Sequence, residues 1–380
     1  MNFNLSEEQS LLRDMVRDFA EREIRPRVKD MEEHEAFPRE LLRKLGALGL
    51  LGMVVPSEYG GIKTDAVSHI IVLEELARVS PAVCVIVSVH SSLFCYSILK
   101  YGTEKQKAGY LPPAAAGEII GAFSLTEPGA GSDIQGMKTR AVRDGDSYVL
   151  NGTKTWLTSG SEADALIVFA VSESVRSEKR LSAFIVDRSS PGYRVAKIEK
   201  KMGLRSSLTA EITLDDCRIP AENILGQEGR AASIALHCLD FSRIGIAAQA
   251  VGLSQAAFDE GLRYARQREA FGRKISEFEA VQFMLADSAT EMDAARLLTY
   301  RAADLFDRGL PFSKEASMAK LFATEAANRI AYQALQIHGG YGYSTEFDIE
   351  RLYRDARVLT IYEGTSEIQR LVIARNLLKE

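Results

Sequence analysis

Residues 361–370 read Ile-Tyr-Glu-Gly-Thr-Ser-Glu-Ile-Gln-Arg and set one carboxylate, Glu363, in an unusual place. Tyr362 and Ile361 precede it, Gly364 follows, and a helical run from Thr365 to Leu378 begins at once. A carboxylate beside an aromatic at a loop-to-helix junction loses water. Desolvation raises its pKa toward the range of a working base. The same residue also reads as a solvated acid ahead of an N-cap at Thr365, where negative charge is favoured anyway. This stretch alone leaves both readings open.

Other chemistry-bearing stretches are glycine loops and lone aromatics. Thr126-Glu127-Pro128-Gly129-Ala130-Gly131-Ser132-Asp133 follows a predicted strand, and its small residues let backbone N–H groups approach a ligand. It is equally a sharp turn. Gln336-Ile337-His338-Gly339-Gly340 reads as a helix stop. Trp156, the one tryptophan, is a core residue or a flat surface for stacking a planar cofactor. Arg268-Glu269-Ala270-Phe271-Gly272 reads as a charge on a helix C-terminus followed by an aromatic core anchor. Neither a P-loop nor a G-x-G-x-x-G after a strand occurs, so a nucleotide cofactor is not expected on a doubly wound sheet.

Composition narrows the class. The 380 residues are 46% hydrophobic and 26% charged, ordinary for a multidomain globular enzyme. A net charge of −5 argues against nucleic acid as a partner. Four cysteines without C-x-x-C spacing and five isolated histidines argue against disulfides and against a zinc site, so no metal is expected. His90 and His338 read as satisfied wall residues. No apolar run is seen at the roughly 18 residues of a membrane span. Met1 to Gln9 is polar and lacks the layout of a signal peptide, which implies a cytoplasmic protein.

These residues need elements to hold them. Apolar positions at helical spacing from Leu11 to Ala20, with a Ser6/Gln9 capping box, open an all-α unit over residues 1–117. Further helices are expected at Arg39–Leu48, Ala66–Arg78 and Ala82–Leu99, then a short one capped by Thr103 and Gln106. From Glu118 the period shortens. Seven short strands are predicted over 118–225: Ile119–Leu125, Met137–Arg143, Ser147–Leu150, Ala165–Val171, Ser182–Val186, Tyr193–Ile198 and Ala210–Leu214. Turn signals stand at Asp144-Gly145-Asp146 and Asn151-Gly152. This pattern implies a small antiparallel barrel or sandwich. Over 226–380 four long helices are expected, near 230–269, 277–308, 314–337 and 365–379, the second capped by Ser276 and Glu279. They imply a four-helix bundle.

Four motifs now stand in order: Thr126 to Asp133, Arg268-x-x-Phe271-Gly272, Gln336-x-x-Gly339-Gly340, and Tyr362-Glu-Gly-Thr-x-x-Ile-Gln369. With the α–β–α layout, the chain resembles the flavin-dependent acyl-CoA dehydrogenase family along essentially its whole length. The resemblance implies the family's α+β multidomain fold: an N-terminal all-α domain, a middle antiparallel β-barrel and a C-terminal four-helix bundle. It implies FAD as cofactor and the α,β-dehydrogenation of an acyl-CoA thioester. In that reaction a carboxylate takes the α-proton while the β-hydrogen leaves as hydride to the flavin.

The same resemblance assigns roles by position. Glu363 matches the catalytic base, and Gly364 should face substrate. Phe123, Leu125, Thr126, Gly131 and Ser132 match the segment along the flavin, and Ser132 also resembles a contact to CoA. Trp156, Leu157 and Thr158 match the stretch stacked on the flavin. Arg268 and Phe271 resemble the pair that reaches a neighbouring subunit's FAD. Gln336, Gly339, Gly340, Thr365 and Glu367 match the rest of the dinucleotide cradle, and Asp240 to Arg243 the CoA contact. Some members carry the base just before the arginine matching Arg243; Ser242 stands there, too weak a base, which leaves Glu363. Glu279 replaces a glutamine that often contacts FAD, and it is also the expected cap partner of Ser276. The implied partners are an electron-transfer flavoprotein and three further copies in a homotetramer. The helix from Arg243 to Gln249 resembles short-chain members, and Ser88 to Cys95 would add bulk at the acyl tail, so a short, branched or cyclic acyl group is expected. An oxygen-using acyl-CoA oxidase and a non-catalytic acyl-CoA-binding or scaffold protein are the alternatives.

Overall fold

A computed structural model describes residues 4–172 and 180–379; the first three residues of the polar N-terminal stretch lie outside it. Seven helices come first: α1 (Glu7–Phe19), α2 (Arg25–Glu33), α3 (Arg39–Ala47), α4 (Ala66–Val79), α5 (Pro81–Ser88), α6 (Tyr96–Tyr101) and α7 (Glu104–Ala115). Both expected capping boxes form, Ser6 with Gln9 and Thr103 with Gln106. Their reciprocal bonds satisfy N–H groups that a helix start leaves bare. Between α5 and α6 the chain winds as a wider π-helical segment, Val89–Cys95. Its Ser92 and Phe94 are buried, as is Ser88 at the end of α5.

Eight strands follow among the described residues: β1 (Gly121–Ser124), β2 (Arg140–Asp144), β3 (Ser147–Thr158), β4 (Ala165–Ser172), β5 (Arg180–Asp187), β6 (Tyr193–Ile198), β7 (Thr209–Pro220) and β8 (Ile224–Leu225). They form one sheet in the order β6-β7-β3-β2-β4-β5-β8, with β1 paired to β4. Most pairings are antiparallel, but β1 and β2 both run parallel to β4, so the sheet is mixed. The Asp144-Gly145-Asp146 turn joins β2 to β3, with Gly145 at φ +61°. Asn151-Gly152 is not a turn. It sits inside β3, where the register against β7 shifts between Leu150 and Gly152. The Asn151 amide and the Asp216 main chain and carboxylate bond across this bulge. A Cβ on Gly152 would lie 2.4 Å from Thr139 Oγ1, so glycine is required by close approach.

Four long helices and a short one end the chain: α8 (Ala231–Gln267), α9 (Glu279–Asp307), α10 (Ser313–His338), α11 (Ile349–Arg357) and α12 (Ser366–Leu377). Sequence periodicity does not separate out α11. A two-stranded hairpin, β9 (Glu269–Ala270) with β10 (Arg273–Lys274), links α8 to α9. The Ser276/Glu279 box does not form. Phe278 is the N-cap of α9, and Glu277 instead accepts from the Lys274 main-chain N–H at 3.2 Å. Glu279 is exposed at the first turn of α9. Two helical stretches, Pro81–Tyr101 and Ala231–Gln267, are long and apolar enough to cross a membrane, which corrects the reading that none reaches that length. Their apolar windows are 89% and 67% buried inside the fold, as core helices would be.

Helix α8 crosses α4 at very short range. A Cβ on Gly252 would lie 2.2 Å from the Glu74 carbonyl oxygen, and one on Gly245 2.6 Å from Ser88 Oγ. Backbone stands where side chains normally would, so this crossing fixes α8 against the N-terminal helices. A second junction ties the sheet to both helical parts. Asp355 accepts from Leu204 N at 2.6 Å, and Glu32 accepts from the main chain of Arg205 and Ser206. We predict that Gly252→Ala lowers unfolding stability by about 1–3 kcal/mol in urea titration, since neither helix can retreat without opening the core.

Candidate active site

Glu363 lies between a single helical turn, Val358–Thr360, and α12. Thr365 is the N-cap, its Oγ1 accepting from Ile368 N at 3.3 Å. Glu363 itself is not a solvated cap neighbour. It is half-buried, and its Oε1 is fully buried with no hydrogen-bond partner among the described residues. Its Oε2 accepts from Ser242 Oγ at 2.5 Å. Burial pushes the Glu363 carboxyl above its ordinary value; the Ser242 hydroxyl and the charges of Lys320 and Arg243 work against that rise. Desolvation therefore outweighs two nearby cations.

The junction is strained where it turns. Glu363 has φ +52° and Gly364 φ +97°. A left-handed non-glycine residue costs roughly 1–3 kcal/mol and survives where surrounding structure over-determines it. Here three contacts do so. The Gly364 carbonyl accepts from Lys320 Nζ at 2.7 Å and from Gln369 Nε2 at 2.8 Å, and Tyr362 donates to Gln249 on α8. A Cβ on Gly364 would lie 2.6 Å from Gln369 Nε2 and 3.6 Å from Arg243 Nη2. Arg243, 4% exposed, pairs with Asp240 one turn earlier.

The structure thus brings Glu363, Gly364, Asp240 and Arg243 together. It adds Lys320 and Gln369, both with no exposed surface. Lys320 could be found in the sequence. On α10 the buried alanines Ala316, Ala319, Ala323 and Ala327 mark one helical face, and 320 falls on it. A lone lysine on such a stripe asks for a reason. Burial pulls its ammonium down to about 8, opposed by Glu363.

Most of the other predicted residues fall in two further groups. In the first, Thr126 O accepts from Thr155 N at 3.0 Å, so the 126–133 loop lies beside the end of β3. Trp156 there is 62% exposed with φ +56°, so it is not a core residue. Leu157 is buried in the sheet and can offer a ligand only its main chain; Thr158 is half-buried. Phe123 packs on Phe169, Leu125 is half-buried, and Gly131 and Ser132 are exposed. Glu127 organises this loop from within. It accepts from Lys138 N (2.6 Å), Thr139 N (2.9 Å) and the fully buried Lys154 Nζ (2.9 Å).

In the second group, Arg268, His338, Gly339 and Gly340 line a cleft of about 640 Å³ together with Tyr264 and Tyr341. Arg268 stacks over the Tyr341 ring at 5.7 Å. His338 is a wall residue, stacked on Tyr264 at 4.3 Å. Gln336 is exposed nearby, though not among the cleft's lining residues. Phe271 is 96% exposed with φ +53°, which overturns its reading as a core anchor. Thr365 and Glu367 stand apart from this cleft, at the N-cap and first turn of α12 beside Glu363, where the helix dipole favours an anion.

Comparison with known proteins agrees with this geometry. Acyl-CoA dehydrogenase family models match as an N-terminal domain over residues 6–118, a middle domain over 122–217 and a C-terminal domain over 229–378. The chain belongs to the acyl-CoA dehydrogenase family and is an oxidoreductase. It is 44% identical to a short-chain specific acyl-CoA dehydrogenase of Clostridium acetobutylicum, covering 100% of both chains. The fold matches butyryl-CoA dehydrogenase from Megasphaera elsdenii with a TM-score of 0.97, 40% identity and full coverage of both. A chain in a structure of the electron-transferring flavoprotein of Acidaminococcus fermentans matches with a TM-score of 0.98, 44% identity and full coverage of both.

The family is FAD-dependent, and the residues present fit such a group. An open cleft with a cation and bare glycines suits a dinucleotide's phosphates. An exposed indole at a strand end suits a planar ring. We predict that Glu127→Ala, which strands the buried Lys154 charge, costs about 3–5 kcal/mol of stability. It should also lower the FAD-to-protein ratio on purification, because the loop and Trp156 lose their common anchor.

Proposed function

We propose that this protein dehydrogenates a short-chain acyl-CoA at its α,β-bond, with Glu363 as the base. The observation that carries this is the buried, unpartnered Oε1 of a carboxylate whose other oxygen is held. Such an oxygen is buried and has no hydrogen-bond partner among the described residues, which suits it to accept a proton.

Each nearby residue then has a task. Ser242 fixes the carboxylate's orientation. Lys320 and Gln369 hold the Gly364 carbonyl and keep the left-handed turn in place. That turn sets the main-chain N–H of Glu363, which would donate to the thioester oxygen where enolate-like charge develops. Arg243 and Asp240, with Ser132, would meet the CoA part. Bound FAD supplies the hydride acceptor. Phe123, Leu125, Thr126, Gly131, Trp156, Leu157 and Thr158 would hold its ring. Arg268, Phe271, Gln336, Gly339, Gly340, Thr365 and Glu367 would hold its dinucleotide.

The short acyl group is supported by the named substrates of the similar proteins and by the wall segment. Ser88 to Cys95 is buried throughout, and Phe94 packs so tightly that a Cβ on Gly121 would lie 2.0 Å from its ring. Branched or cyclic short groups are the finer reading of the same wall. An electron-transfer flavoprotein as oxidant is supported by the solved structure that carries that name. Assembly as a homotetramer is supported by exposed apolar side chains on the bundle, including Phe283 and Leu297.

Three measurements check this. Glu363→Gln should keep FAD and bind acyl-CoA yet fail to bleach the flavin on anaerobic mixing; bleaching near the wild-type rate would assign the base elsewhere. The same variant should also unfold at higher temperature. A carboxyl raised in the fold stays protonated while the unfolded chain ionises, so it costs stability once pH passes the ordinary carboxylate range. The gain should therefore vanish in acid and appear toward neutral pH. Across an acyl-chain series, flavin reduction should peak at short chains, with straight, branched and cyclic members compared directly; a maximum at long straight chains would sink the substrate assignment.

A further inference from the structure

Behind Glu363 a chain of hydroxyls runs into the core. Ser242 Oγ lies 2.5 Å from Glu363 Oε2, Ser92 Oγ lies 3.0 Å from Ser242 Oγ, and Ser92 Oγ lies 2.6 Å from the main-chain oxygen of Ser88. Ser242, Ser92 and Ser88 are buried. Each of the three contacts needs one hydrogen. The two hydroxyls supply two, and the far end is a carbonyl, which can only accept.

Hydrogen counting therefore separates two states. With Glu363 ionised, Ser242 donates to the carboxylate, and Ser92 can serve Ser242 or Ser88 but not both. With a proton on Glu363 Oε2, every contact is filled: the carboxyl donates to Ser242, Ser242 to Ser92, and Ser92 to the Ser88 carbonyl. We propose that the Ser242–Ser92 chain reverses direction with the charge of Glu363, and so holds the abstracted proton pointed into the core.

The proposal rests on the reading of Glu363 as the base. The substrate C–H bond breaks and one O–H bond forms on Glu363; the serine hydrogens only rotate and stay on their own oxygens. A proton received at Oε1 reaches Ser242 when the carboxyl turns about its terminal torsion, which has twofold freedom. The oxygen left facing the other way is then a bare acceptor, which cannot return a proton to the product. Ser242 and Ser92 are positioning residues in this scheme. The charged and titratable groups around Glu363 are Arg243 with Asp240 on α8, Lys320 on α10 with Glu325 and Glu367 beyond it, and the adjacent Tyr362. None of these changes in the variants below.

Infrared difference spectra of the holoenzyme titrated with pH, with Glu363→Gln as the subtraction, read the Glu363 carboxyl band directly. Ser242→Ala removes a charge-assisted donor to the anion, so the midpoint should rise by about one pH unit. Ser92→Ala removes the oxygen that receives the Ser242 hydrogen in the protonated state, so the midpoint should fall, by roughly half a unit. Ser242→Thr keeps the hydroxyl and should return the midpoint to wild type. The acid limb of the flavin-reduction rate should move in the same directions. A Ser92→Ala midpoint that is unmoved, or that rises with that of Ser242→Ala, overturns the reversal. Flavin reduction surviving in Glu363→Gln overturns the base instead, and the infrared titration still reports on the chain.

Discussion

Taking the Glu363 carboxylate out of water without pairing it is the constraint on which the site depends. A direct ion pair would have solved the desolvation problem and weakened the carboxylate's hold on a proton, because an adjacent cation pulls a carboxylate pKa down. The structure keeps two cations close but occupied. Lys320 is spent on the Gly364 carbonyl and Arg243 on Asp240. Their fields soften the burial of Glu363 without bonding to it. The side-chain donor that does touch it is a neutral hydroxyl, Ser242.

Holding that balance needs rigidity from three directions. Ser242, Arg243 and Gln249 come from the middle of α8, Lys320 from α10, and Gln369 from α12. Ser242, Gln249, Lys320 and Gln369 each hold a bond to residues 362–364, and Arg243 holds Asp240 beside them. Helix α8 is fixed in turn by Gly245 and Gly252, which bring its backbone against Ser88 and Glu74. The N-terminal helices thus stand behind the site although Glu363 lies far away in sequence. They also supply Ser92.

Local patterns were legible in the chain because they are decided locally. Two capping boxes formed as read, and strand β6 kept its predicted bounds, Tyr193–Ile198. What failed was decided by tertiary contact. The parallel pairing of β1 and β2 with β4 has no signature in alternation. Asn151-Gly152 has turn chemistry, but Thr139 and Asp216 make it a bulge. Ser276 has cap chemistry, yet the β9–β10 hairpin ends so that Phe278 starts α9. Phe271 has a core residue's composition and sits in solvent, held by a left-handed turn. Of the site, Glu363 and Gly364 were legible as motif members, and Arg243 as a position matched by the family resemblance. Lys320 was legible only as an oddity on an alanine face, since the carbonyl it serves lies 44 residues further on.

The identity of residue 242 gains meaning from this geometry. At 2.5 Å from Glu363, a second acid there would place two carboxylates in one desolvated space. Like charges so close cannot both ionise, so one would hold a proton at all working pH values and the pair would titrate as a unit. With Glu363 as the base proposed above, a neutral side chain at 242 avoids that coupling, and one able to hydrogen-bond also holds Oε2. An apolar residue would leave Oε2 as bare as Oε1, and the carboxylate would lose its orientation. Serine meets both demands and, through Ser92, links the base to the core. On the proposed reading, Ser242 is what keeps Glu363 a single, oriented base, and not just the absence of a rival.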